Sequence, residues 1–199
     1  GRDPGGWVPG GAGALDDGIP EHALHDAAAA AQAAVTDIPP IDPTAAPSCT
    51  LVAAVVIGDV ITVGWIGDSR AYLIGSGGAV KLTEDDTWAA EAARAGLIPE
   101  SAVETDRRAH TLTRWLGADA DDLAPHVRAV RTDRPARLVV CSDGLWNYAS
   151  DPLVVASVID RLPPDAAALD VARELVSFAL DSGGHDNVTV VVADVPTHL

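Results

Sequence analysis

LVVCSDGLWN, residues 138–147, decides the reading of this chain: the apolar run Leu138-Val139-Val140-Cys141 stops at Ser142-Asp143-Gly144 and then turns apolar again. The simplest account is a hairpin, because Asp-Gly is a common turn dipeptide whose glycine supplies the positive φ of a type I′ turn. The residues that follow speak against it. In LWNYASDPLVVASVIDRL (145–162) the apolar positions Leu153, Val154, Val158, Ile159 and Leu162 recur near helical spacing, where a returning strand would alternate. The chain therefore passes from strand to carboxylate to helix at Asp143. A carboxylate at the end of a strand, backed by rigid core, is well placed to hold a metal or a catalytic group, with Gly144 leaving room for the approach.

Two other aspartates share that setting. The run VITVGWI ends in Gly67-Asp68-Ser69-Arg70, and His185-Asp186-Asn187 opens the run VTVVVADV. Asp68, Asp143 and Asp186 either mark three independent turns or converge at one edge of stacked sheets. Converged, they form a set of hard oxygen donors without Cys or His, which favours Mg²⁺ or Mn²⁺ over Zn²⁺. Like charges packed together without a cation would raise one another's pKa.

At 199 residues, 48% apolar and 21% charged, the chain suits one packed domain. The net charge of −16 argues against nucleic acid and anionic membrane as partners, since such binding relies on Lys and Arg neutralising phosphates; it reads first as a soluble, self-repelling surface, with divalent cations the alternative counterpart. The longest apolar run, LVAAVVIG, is far short of the roughly 20 residues of a membrane-spanning helix, and the amino end lacks a signal pattern, so a cytoplasmic protein is expected. Cys49 and Cys141 sit in apolar runs without metal-ligand spacing and read as buried free thiols in a reducing compartment. There is no methionine, even at position 1, so the initiator was removed or the chain is a piece of something longer.

Residues 1–20, rich in Gly and Pro without a period, are expected to be a flexible segment ahead of a domain over 21–199. Within them Asp16-Asp17-Gly18 is set aside, because no strand precedes it. Residues 21–36 predict a helix with Pro20 in its first turn, ended by the linker PPIDPTAAP. His22 and His25 read as solvent-facing. Residues 49–56 and 60–66 form a hairpin across Ile57-Gly58-Asp59, and AYLIGSGGAVKL a second strand pair. TEDDTWAAEAARAGLIPESAVE reads as a capped short helix stopped at Gly96, followed by a turn. Strands are expected at 126–131 and 137–141, helices at 152–162 and 164–180, and a last strand after Asn187. Strands followed by helices and one more strand, without βαβ alternation, indicate an α+β fold of antiparallel sheets covered by helices.

GWIGDSRAYLI, LTEDDTW, TLTRWLG, LVVCSDGLW and GGHDNVTVVV, in that order over residues 48–195, together resemble the bacterial metal-dependent serine/threonine phosphatases of the 2C type, the PPM family. The resemblance implies an α-β-β-α sandwich with two antiparallel sheets flanked by helices and metals in a cleft at one end. It implies hydrolysis of phosphoserine and phosphothreonine in proteins, the targets of kinases, by a water activated by two ions, with two or three Mn²⁺ or Mg²⁺ in the complete protein. Asp143 and Asp186 match the two aspartates that hold the second metal, and Asp68 matches one that helps hold a third. The stretch from TEDDTW to SAVETD looks like the mobile flap beside the active site.

The family's upstream elements are not recognised here: a Glu-Asp pair, a phosphate-gripping arginine, and an Asp-Gly-x-x-Gly whose aspartate bridges both metals. Asn147 also stands where many members have an aspartate. A fragment beginning after those elements is expected, and a pseudophosphatase-like module that binds a phosphoprotein without hydrolysis is the rival reading. A calcium-binding structural domain is disfavoured by the absence of EF-hand spacing. Arg70 is expected to brace the Asp68 loop or pair with a nearby carboxylate. His110 and His185 are read as structural or solvent-facing rather than acid catalysts.

Overall fold

The computed structural model describes residues 8–9, 19–41 and 46–196. In chain order its elements are β1 (Val8–Pro9), α1 (Ile19–Thr36), β2 (Ser48–Cys49), β3 (Leu51–Ile57), β4 (Val60–Ile66), β5 (Arg70–Gly75) and β6 (Gly78–Lys81). Then come α2 (Trp88–Arg94), a 3-10 turn at Glu100–Ala102, β7 (Leu116–Gly117), β8 (His126–Arg131), β9 (Ala136–Cys141), α3 (Asp143–Trp146), α4 (Pro152–Ile159), α5 (Ala168–Asp181) and β10 (Val190–Val195).

Every residue of β4 from Ile61 to Ile66 is buried, so this strand has no solvent face. Each of its two faces meets a different layer. Ile61, Val63 and Trp65 pack with Ala71, Leu73, Leu138 and Val195 of the other sheet, which makes the space between the sheets one apolar core. On the reverse face, Ile66 packs with Ala28 of α1 and with Leu116. A Cβ on Gly64 would come within 3.1 Å of the Leu24 side chain, so the glycine lets α1 lie close. The first sheet runs β1-β8-β4-β3 and the second β10-β9-β5-β6, all pairs antiparallel, with a small β2-β7 ribbon beside them.

The second sheet repeats the logic by simple alternation. Ala71 and Leu73 face the first sheet, while Tyr72 and Ile74 face outward with Val139 and Cys141. That outer face is covered by Leu145, Trp146, Val155, Val158, Val171, Leu175 and Ala179 from α3, α4 and α5. Each large apolar side chain so covered stabilises the fold by about 1.5–3 kcal/mol. The result is the expected four-layer sandwich of two antiparallel sheets between helices.

Several details differ from the sequence reading. A strand does precede Asp16-Asp17-Gly18: Val8 and Pro9 pair antiparallel with Arg131 and Val130 at the sheet edge. A proline is tolerated at such an edge, where no ladder donor is required of it. Most of the segment expected to be flexible lies outside the described residues, and α1 begins inside it, at Ile19. In α4 the buried face is Val155 and Val158, leaving Leu153 63% exposed, although its spacing placed it among the apolar set. Among the described residues no helix is long and apolar enough to cross a membrane.

The cysteines also part company. Cys49 is exposed, because Ser48–Cys49 leaves the main sheet for the ribbon with β7. Cys141 is buried in the core, which pushes its thiol up to about 12. In the native protein a thiol reagent at about pH 8 will therefore label Cys49, and Cys141 only after unfolding in guanidinium, because the thiolate is the reactive form. Two thiols reacting equally fast without denaturant would contradict this packing.

Candidate metal centre

β9 and β10 pair with Cys141 opposite Val190, and the ladder is extended beyond that point by side-chain and backbone bonds. The Ser142 N–H donates to the Thr189 carbonyl at 3.1 Å, and the Thr189 N–H donates to Ser142 Oγ at 3.0 Å. Ser142 Oγ in turn donates to the Asn187 carbonyl at 3.2 Å. Two residues further on, a Cβ at Gly144 would lie 2.3 Å from that same Asn187 oxygen. The room that Gly144 leaves is thus filled by the backbone of Asn187, a correction to the sequence reading, which gave that space to an approaching ion. Asp143, at the start of α3, and Asp186 therefore stand on two segments in direct contact. Asp143 is half-buried and Asp186 exposed, its Oδ1 accepting the Asn187 N–H at 2.7 Å.

Asp68 reaches this edge by another route. The Trp146 indole N–H, from α3, donates to the Asp68 carbonyl at 2.9 Å. The preceding residue is latched twice to Asp86: the Gly67 N–H donates to Asp86 Oδ2 at 2.8 Å, and the Asp86 N–H to the Gly67 carbonyl at 3.1 Å. Gly67 has φ 99°, in the left-handed region, and a Cβ there would collide with Thr50. Burial pushes the Asp68 carboxyl up to about 6, and the neighbouring charges of Asp143 and then Asp85 add to the effect.

The structure thus brings Asp68 and Asp143 into one electrostatic neighbourhood and seats the Asp186 loop against Gly144. Among the described residues no three His, Cys, Asp or Glu side chains are already gathered tightly enough to hold an ion. The donor chemistry nonetheless fits a hard divalent cation. The Asp68 carboxyl, pushed toward protonation by burial and then by the charges of Asp143 and Asp85, would be relieved by a cation, and the three aspartates are hard oxygen donors.

Arg70 is 2% exposed, and its guanidinium forks onto Asp85 at 3.0 and 2.6 Å, touches the Tyr72 hydroxyl at 3.3 Å and lies 3.8 Å from the centre of the Trp146 ring. It braces the Asp68 region and pairs with a carboxylate, as expected. The sequence offered no sign of which acid in LTEDDTW would be that partner. His110 stacks on Trp146, with centroids 5.3 Å apart. The stretch read as a flap holds α2, capped by Thr87 accepting the Ala90 N–H at 3.3 Å, with Gly96 at φ 72° after it. Glu104 in this stretch accepts from Ser150 Oγ at 2.8 Å and stands 3.8 Å from Arg70. A cleft of about 630 Å³ opens between this stretch and the sheet, lined by Arg70, Lys81, Arg94, Glu100 and Glu104 among others.

Residues 12–179 match the family model described as protein phosphatase 2C. The chain belongs to this family. It is 36% identical over 148 residues to the serine/threonine protein phosphatase PstP of Mycobacterium tuberculosis, covering 73% of this chain and 27% of that protein. It is 29% identical over 145 residues to the serine/threonine phosphatase stp of Listeria welshimeri, covering 73% of this chain and 56% of that protein. The chain thus spans between 27% and 56% of the length of these two relatives. Stp1 from Staphylococcus aureus shares the fold, with a TM-score of 0.75 at 23% identity over 90% of this chain and 69% of that one. The catalytic domain of PstP, solved in complex with two manganese ions, gives a TM-score of 0.61 at 26% identity over 96% of this chain and 85% of that one. The family match begins ahead of Asp16-Asp17-Gly18, residues that lie outside the described ones and that the sequence reading had set aside.

The folded state holds the Asp68 proton up to about pH 6, whereas the ordinary value is 3.8, so the metal-free fold loses stability as pH rises through that window. With EDTA present, Asp68→Asn will raise stability in urea by on the order of 1–2 kcal/mol at about pH 8, a gain that shrinks toward pH 4. A variant no more stable than the parent at pH 8 would contradict the crowding of carboxylates described above.

Proposed function

We propose that this chain supplies most of the catalytic domain of a phosphatase that hydrolyses phosphoserine and phosphothreonine in proteins, using two or three Mn²⁺ or Mg²⁺ ions. The observation that carries the reading is the seating of Asn187 on Gly144, which sets the Asp143 and Asp186 segments side by side at the edge where Asp68 also lies. Membership of the protein phosphatase 2C family supports it.

Asp143 and Asp186 would hold one ion, and Asp68 would help hold another. When bound, the ions supply an activated water and neutralise charge developing on the phosphoryl oxygens. The chain's own contribution is preorganisation: the Ser142 hydroxyl and the Trp146 indole, donating to the backbone carbonyls of Asn187 and Asp68, fix these segments without using the carboxylates. Arg70 is committed to Asp85 and Trp146, so gripping the phosphate falls to a group other than Arg70. Within the family match, Asp17-Gly18-Ile19-Pro20-Glu21 keeps the Asp-Gly of the bridging motif and departs from it at Glu21. With β1 ahead of it and α1 directly after it, Asp17 is the candidate for the bridging carboxylate. The substrates are phosphorylated proteins of the cytoplasm, the products of a kinase.

Hydrolysis of p-nitrophenyl phosphate by the full-length protein with Mn²⁺ will fall by roughly a hundredfold or more in Asp143→Asn and in Asp17→Asn, since even outer-shell partners of a metal are worth 10- to 100-fold. A parent rate no higher than that of Asp143→Asn would contradict the proposal. Full activity in Asp17→Asn would remove that residue from it and leave the rest standing.

A further inference from the structure

Tyr148 lies two residues beyond α3 in the segment that carries Asp143, and its hydroxyl reaches across to the loop of Asp186. It accepts the backbone N–H of His185 at 3.2 Å and stands 2.6 Å from Nδ1 of the same residue's imidazole. A phenolic oxygen has one proton. Acting as acceptor toward the amide, it is free to give that proton to Nδ1. The two rings stack with centroids 6.3 Å apart and 23° between planes. The loop closes tightly round this hydroxyl: Gly183 has φ 148°, and a Cβ there would lie 2.7 Å from the Tyr148 oxygen.

Three residues of one short segment therefore touch the returning loop. Ser142 and Gly144 hold it on the far side of Asp186, at Asn187 and Thr189, and Tyr148 holds it on the near side, at His185. Asp186 is the single residue between the two attachments. It is exposed, and only His185 separates it from Gly183-Gly184, a pair whose backbone freedom makes ordering costly.

We infer that Tyr148 is a positioning residue of the metal centre: with His185 it clamps the Asp186 loop to the segment bearing Asp143 and so sets the separation of the two carboxylates before an ion arrives. The inference rests on reading Asp143 and Asp186 as ligands. Without the clamp, the ion itself must order the loop, and its apparent affinity falls. Tyr148 touches no reacting atom; it acts through Asp186.

The test is calorimetric titration of the full chain with MnCl₂, without substrate, comparing the parent with Tyr148→Phe, which keeps the ring and removes only the hydroxyl. Mn²⁺ affinity is expected to fall about tenfold, within the range typical of outer-shell partners. Hydrogen exchange at residues 185–187 is expected to quicken, while Ser157→Ala, which removes an exposed hydroxyl bonded to Val154 elsewhere, leaves both unchanged. Parent-like affinity in Tyr148→Phe overturns the clamp and leaves the ligand reading intact. Should Tyr148→Phe fail to fold, His185→Ala carries the same test on the exposed side of the pair: a weaker affinity supports the clamp and an unchanged one overturns it. Absence of Mn²⁺ binding by the parent overturns the ligand reading and the clamp together.

Discussion

The contact on which the rest of the site depends is the seating of the Asn187 carbonyl against the Cα of Gly144. No other residue can stand at 144 without displacing backbone, because any Cβ would sit 2.3 Å from that oxygen. The constraint runs both ways. It makes the strand-to-helix passage at Asp143 tight, and it brings β10 into the sheet in the one register that leaves Asp186 at the same edge. Ser142 reinforces it with both capacities of its hydroxyl, donating to Asn187 and accepting from Thr189.

A second constraint sits beneath the first. Arg70 and Asp85 form a buried pair, and a buried charge left without its partner costs about 3–5 kcal/mol. The pair is planar and forked, so it fixes orientation as well as distance. Arg70 lies against the Trp146 ring, and the Trp146 indole holds the Asp68 carbonyl. The position of Asp68 is therefore inherited from a packed interior. Its carboxyl group is pushed toward protonation by burial first and then by the charges of Asp143 and Asp85.

How much of this could be read from the chain depended on whether the signal was local. The hairpin of β3 and β4 was legible, because two β-branched runs flank a glycine that adopts φ 59° in the turn. Asp68, Asp143 and Asp186 were legible as strand-end acids for the same reason. The strand Val8–Pro9 was not, since two residues beside a proline in a glycine-rich stretch carry no period and gain their structure only from pairing with β8. Cys49 was misjudged because composition cannot say that a strand leaves its sheet for a ribbon. Asp85 and Tyr148 carried no mark at all, since their partners Arg70 and His185 become neighbours only on folding. Gly144 was noticed, but its reason was visible only once Asn187 lay upon it.

As proposed, the segments joined at Gly144 and Asn187 present their carboxylates to divalent cations. Anomalous diffraction at the manganese edge, from crystals of the full-length protein grown with MnCl₂, tests this directly. The expected result is an anomalous peak in contact with carboxylate oxygens of both Asp143 and Asp186. A well-ordered edge without such a peak, or manganese bound only elsewhere, would contradict it.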